Sequence, residues 1–205
     1  MSFPSPADLK NGHLAFKRHE GRDAMYKTAT FLVQHFWGNA SDMADSLGVL
    51  LLTWNQAFYR HGPFDFDELE KCISSNFELL SRYRKSNILD YTESDDEQIR
   101  HLFDQFLDAL KIREGKRKGV RSPVGVAKAL HLLAPDFFPL WDEKIARAYG
   151  YYYSSNPVEK YLAFLKMTKE MVEKLQARIT PKPTSRELLK LIDEYNYSKY
   201  TKGWV

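Results

Sequence analysis

Residues 122–150 read SPVGVAKALHLLAPDFFPLWDEKIARAYG. Proline fits the first turn of a helix, where its missing N–H costs nothing, so a helix is predicted from Pro123 or Val124. Ala134-Pro135 ends it, because the residue before a proline is pushed away from helical geometry. Asp142 is a good N-cap for a further helix, EKIARAYG, and Gly150 is the residue type that closes helices most readily. No alternating apolar-polar run interrupts this order, and the expectation it sets for the whole chain is an all-α fold. The same stretch poses a chemical question. Lys128 stands on an otherwise apolar helix, and Asp142 directly follows Phe-Pro-Leu-Trp. A charge kept in so apolar a segment needs a partner or a task.

Apolar residues recur at helical spacing on both sides of this segment. Residues 22–37 place Met25, Ala29, Leu32, Val33 and Phe36 on one face, and Gly38-Asn39 stops the run. A second helix is predicted from Ser41 to Gly62-Pro63, with a middle so apolar that it reads as central and buried. Residues 65–84 and about 95–112 supply two more, and 157–178 and 184–195 two others, separated by Thr-Pro-Lys-Pro. There is no internal repeat and no low-complexity tract. The expected organisation is a single all-α domain of two helical lobes, about 22–110 and 111–205, sharing a cleft.

Length and composition set outer limits. A chain of 205 residues with 43% hydrophobic and 28% charged residues supports one well-buried core, and disorder or membrane insertion is not expected. The start of the chain lacks the apolar core of a signal peptide, and the single cysteine, Cys72, forms no intramolecular disulfide, so a reducing cytoplasmic location is expected. The six histidines show no metal-ligand spacing with cysteine or carboxylate partners. Phosphate-loop, dinucleotide and nucleophile-elbow motifs are absent. Neither a metal nor another cofactor is therefore predicted.

A net charge of +3 is too small to name a partner, so the distribution of charge decides. Between Lys111 and Lys128 there are seven Lys or Arg residues against one acid, Glu114. Most charge runs are simply solvated. This one also carries Gly115, Gly119 and Gly125, and it leads into the positive end of a helix. Lys116, Arg117, Lys118 and Arg121, with the Gly125 amide, make a candidate phosphate-binding group, and DNA is the expected partner.

The order "helix, glycine-containing hairpin, helix bearing a lysine, short connector, aspartate at the mouth of the next helix" resembles the core of the helix-hairpin-helix base-excision DNA glycosylases over about residues 110–150. In that family the hairpin commonly reads Leu-Pro-Gly-Val-Gly-x-Lys, followed by an essential aspartate. Here Pro123 and Lys128 keep that separation, and Leu140-Trp141-Asp142 stands where the aspartate belongs. The glycines are displaced, with Val124 and Val126 around Gly125, and the interval from lysine to aspartate is shorter.

The resemblance implies a DNA glycosylase that flips a damaged or modified base out of the helix and cleaves its glycosidic bond. Repair and phage defence are both compatible roles. Asp142 would stabilise the cationic sugar and activate water; its plain alternative is an N-cap. Lys128 is read first as a phosphate-contacting or positioning residue. Its alternative role is covalent attack, giving lyase activity, if its pKa is lowered.

The receiving pocket needs stacking rings and groups that read a base edge. The segment LLTWNQAFYRHG (51–62) supplies Trp54, Asn55, Gln56 and Tyr59, and Trp141 is a second ring. Each of these has a structural alternative, as core ring or loop-bonding amide. Two other functions stay open: a non-enzymatic helical nucleic-acid-binding module, and a helical protein-interaction domain. A monomer is expected.

Overall fold

The computed structural model describes residues 3–181 and 183–205. Among these, all regular structure is helical. The helices are α1 (Pro6–His19), α2 (Ala24–His35), α3 (Ala40–Trp54), α4 (Gln56–Tyr59), α5 (Phe66–Ser75), α6 (Phe77–Lys85), α7 (Asp96–Ala109), α8 (Pro123–Leu133), α9 (Glu143–Ala148), α10 (Pro157–Gln176) and α11 (Ser185–Asn196). A wider, π-type turn, Tyr197–Lys202, extends α11. None of the described helices is long and apolar enough to cross a membrane.

Three features depart from the sequence reading, each for a local reason. The helix predicted across 41–62 breaks at Asn55, which caps α3 and opens α4; its side-chain amide donates to Ser122 Oγ at 2.9 Å instead of facing solvent. The 65–84 helix breaks at Asn76, whose amide donates back to the Cys72 carbonyl at 2.8 Å, competing with the helical ladder. Helix α1 was not anticipated at all, although its signal is local: Ser5 and Asp8 form a reciprocal capping box around Pro6. Helix α3 is also less enclosed than its composition suggests. Met43, Leu47 and Leu51 are buried, but Val49 is 57% exposed.

Helix α8 is the hub, packing against α2, α3 and α7 with Val126, Ala129, Leu130 and Leu133 fully enclosed. The same core continues to Trp141, whose ring stacks on Tyr161 at 5.2 Å, with Phe164 alongside. Cys72 is buried in α5, and burial pushes its thiol up to about 12, which makes it inert.

The two ends of the chain meet where α1 packs on α11. Helix α1, which precedes the lobe expected at about 22–110, thus packs on the C-terminal half of the chain. At Gly12 the helices touch so closely that a Cβ there would lie 2.5 Å from Tyr195 Cα. Gly12→Ala is accordingly expected to destabilise the fold by about 1–3 kcal/mol, measured by denaturant unfolding.

The basic loop between α7 and α8 is a closed hairpin. Ile112 N donates to Val120 O at 2.9 Å, and Gly119 N returns to Ile112 O at 2.8 Å. Gly115 and Gly119 both have φ of +84°, the left-handed region that favours glycine.

Candidate functional site

A cavity of about 260 Å³ opens where the C-terminal end of α1, the start of α2, the end of α3, the middle of α8, the mouth of α9 and the inner face of α11 converge. Lys128 enters it from α8 and Asp142 from the N-cap of α9. Helix α11 contributes Lys190 and Asp193, and Tyr197 follows just past its end. Spacings of three and four place these three residues on one helical face. Trp54 and Phe16 supply rings.

Asp142 is held rigidly. One carboxylate oxygen accepts from Ile145 N at 2.8 Å as the helix cap, and the other accepts from Thr201 Oγ1 at 2.6 Å. The cap and the cavity-facing carboxylate are thus one residue, because a cap position lies by construction at a helix mouth.

Lys128 donates from Nζ to the Trp54 carbonyl at 2.8 Å, and Nζ sits 4.8 Å from the Trp54 ring centroid. The side chain is largely surrounded by protein and lines the chamber. That burial lowers its pKa to about 8, with Asp142 and Asp193 pulling the other way. Burial also pushes the Asp193 carboxyl up to about 7; Lys190 opposes this, and Glu194, Asp142 and Asp23 reinforce it. Burial works against the Lys190 ammonium too, but Asp193, Asp23 and Glu194 outweigh it and hold that amine above its ordinary value. Lys190 pairs with Asp23 at 2.9 Å. Asp23 has φ of +43°, and its carboxylate serves Lys190 instead of capping α2. Aspartate is among the non-glycine residues that adopt this left-handed region most readily, its short polar side chain offsetting the cost locally.

Lys128 and Asp142 also line a second, open depression of about 610 Å³. Arg117 and Arg121 edge it from the hairpin, Lys144 from α9, and Ser122 marks the start of α8. The two catalytic candidates therefore stand at the boundary between a recessed chamber and a cationic surface groove.

The other sequence candidates divide. Trp54 is half-buried and lines the chamber. Trp141 lies on the chamber wall but is only 1% exposed and has one face against Tyr161, so it is a structural ring and not an open stacking platform. Its Nε1 has no acceptor among the described residues. Asn55 lines the outer groove with its amide bonded to Ser122. Gln56 is exposed and lines neither depression. Tyr59 is core; its hydroxyl donates to the Leu110 carbonyl at 3.0 Å. The base-reading role expected of Gln56 and Tyr59 is thus corrected, because α4 turns away from the chamber after Asn55.

Gly125 is corrected as well. Its amide donates to Ser122 Oγ at 3.0 Å and is spent on the helix cap; a Cβ at this position would meet the Tyr59 hydroxyl at 3.0 Å and Ser122 Oγ at 3.1 Å, so the site is closely packed and not open to a phosphate. Lys116 and Lys118 are exposed on the hairpin outside the groove lining, whereas Arg117 and Arg121 reach it, the latter paired with Asp108 at 2.5 Å.

Sequence reasoning missed Asp193, Lys190, Asp23 and Glu20. The charges of α11 alternate with an apolar stripe, an ordinary amphipathic pattern; what covers them is α1, packed along α11, with Asp23 and Tyr26 against Lys190. Comparison with family models, with curated proteins and with solved structures finds no match for this chain.

Proposed function

We propose that the protein is a DNA glycosylase that binds duplex or locally opened DNA and cleaves the bond between a modified base and its sugar. The observation that carries this reading is the shared boundary: Lys128 and Asp142 line both the recessed chamber and the cationic groove. A flipped nucleotide needs that arrangement, with its base in the chamber, its phosphates in the groove and its anomeric carbon at the boundary. The chamber is smaller than the roughly 300–1,000 Å³ of typical drug-sized pockets, which suits a single flat ring system against Trp54.

Cleavage builds positive charge on the sugar. The fixed carboxylate of Asp142 offsets that charge and orients water, without moving as the reaction proceeds. Lys128, with its pKa lowered to about 8, has a neutral amine fraction at neutral pH. This favours a nucleophilic role over the phosphate contact expected from sequence, since its Nζ is turned to Trp54 and the chamber boundary.

The decisive experiment is abasic-site formation on a panel of duplexes carrying oxidised, deaminated, alkylated and hypermodified bases, with borohydride trapping in parallel. Release of one base class, lost in Asp142→Asn, supports the reading. If the protein binds these duplexes and wild type and Asp142→Asn are equally inert, it is a binding module in which Asp142 only caps α9.

Groove binding has its own signature. Each phosphate contact neutralised in duplex DNA contributes about 0.9 to the slope of log affinity against log salt. Arg117→Ala combined with Lys144→Ala is expected to reduce that slope by about 2, read by fluorescence anisotropy at several salt concentrations. An unchanged slope would place the DNA elsewhere, or replace it with a protein partner.

A further inference from the structure

Asp193 is faced by charged groups from every side of the chamber. Lys128 comes from α8, Asp142 from the mouth of α9, Asp23 from the start of α2 and Glu20 from the end of α1, while Lys190 and Glu194 flank it on α11. Several of these are committed elsewhere: Asp142 to Ile145 and Thr201, Asp23 to Lys190, and Glu194 to His13 at 2.5 Å. The Asp193 carboxyl has no hydrogen-bond or ion-pair partner within 4 Å among the described residues, although it lies on the wall of a cavity that Lys128 also lines. An uncommitted carboxyl beside a desolvated amine is the composition of a proton-exchanging pair.

We infer that Asp193 is the acid–base partner of Lys128, giving a proton to the departing base and recovering one from the amine that has attacked the sugar. This rests on the glycosylase reading. In the first step the neutral Lys128 amine forms a bond to the anomeric carbon as the glycosidic bond breaks. The bonding pair leaves with the base nitrogen, which takes the proton of the Asp193 carboxyl. In the second step the resulting cationic secondary amine returns a proton to the Asp193 carboxylate, so the carboxyl is regenerated. Asp142 is less suited to this exchange, because each of its oxygens already accepts a hydrogen bond, from Ile145 N and Thr201 Oγ1, that favours the charged carboxylate over its protonated form. Burial brings Asp193 to about 7 and Lys128 to about 8, so both groups change protonation near neutral pH, and the Asp193 charge is one of those that hold the Lys128 proton.

The test uses the full-length protein and a duplex with a natural abasic site, which presents the sugar aldehyde without requiring the base to be known. There the Lys128 amine adds to the aldehyde carbon, and Asp193 supplies the proton with which the hydroxyl leaves as water, giving a reducible imine. Asp193→Asn is expected to slow borohydride trapping by roughly tenfold or more and to remove the inflection near neutral pH from its pH profile. DNA affinity should be unchanged, and Asp193→Glu should restore part of the rate. In a substrate-free measurement, the titration of the Lys128 side chain followed by NMR should move to lower pH in Asp193→Asn, because a neighbouring negative charge is gone.

Trapping by Asp193→Asn that follows wild type at every pH, with Lys128→Met inactive, overturns the inference and leaves the glycosylase reading standing. A Lys128 titration unmoved by Asp193→Asn overturns it too. If wild type itself forms no trapped complex, the amine role of Lys128 fails and this inference fails with it.

Discussion

Asp142→Asn is expected to slow base release by roughly a hundred- to ten-thousand-fold, with DNA affinity and thermal stability close to wild type. Asparagine caps a helix about as well as aspartate, so the bond from Ile145 N survives and α9 keeps its start. The Thr201 hydroxyl, now donating to the second carboxylate oxygen, can instead accept from the amide that replaces it. The substitution therefore removes one negative charge at the chamber boundary and little else. Single-turnover excision on the duplex selected by the panel, beside anisotropy binding, separates the outcomes. A large loss of rate at constant affinity is what a transition-state role requires. Equal loss of both would move Asp142 from chemistry to binding.

Lys128→Met is expected to abolish the borohydride-trapped complex altogether and to raise stability at pH 7 by about 1–3 kcal/mol. The sign follows from linkage. The pKa of Lys128 falls from 10.5 in the unfolded chain to about 8 in the folded protein, so the folded state holds this proton more weakly. The contribution of this group is most favourable above pH 10.5 and is lost as pH falls through about 8. Wild type should therefore gain stability between about pH 8 and 10.5, and the methionine variant should lack that rise. The lost bond to the Trp54 carbonyl subtracts from the gain, which sets the lower end of the range. Denaturant unfolding at a series of pH values measures both effects. A variant that is less stable than wild type at pH 7 would mean that Lys128 is kept for structure and not at a cost to stability.

The existence and type of most elements were legible in the sequence because their causes are local. Pro123 at a first turn, Asp142 at a cap and Gly150 past an end each act over three or four residues, and so does the spacing of Ile99, Leu102, Phe103 and Phe106. The breaks at Asn55 and Asn76 were not, since each depends on whether an asparagine amide finds a better partner than solvent. Helix α1 carried its own capping signal at Ser5 and Asp8.

Lys128 and Asp142 stood out in the sequence because a charge in an apolar run is an incongruity visible without neighbours. Asp193, Lys190 and Asp23 did not, because each lies in an ordinarily polar stretch, and a helix pattern states which residues share a face but not what covers it. Only when α1 packs on α11 and Asp23 and Tyr26 come against Lys190 do those charges lose water, and a pKa is set by that enclosure and by neighbours from distant parts of the chain. The same distinction governs Gly125 and Tyr59. Composition offered a phosphate amide and a stacking ring, and packing spent both on the joint between α4 and α8. Local spacing and caps set most of the helices, and an apolar run exposes two of the charges at the boundary; packing alone selects the other charges that join them, since burial is a property of the assembled neighbours and not of any one segment.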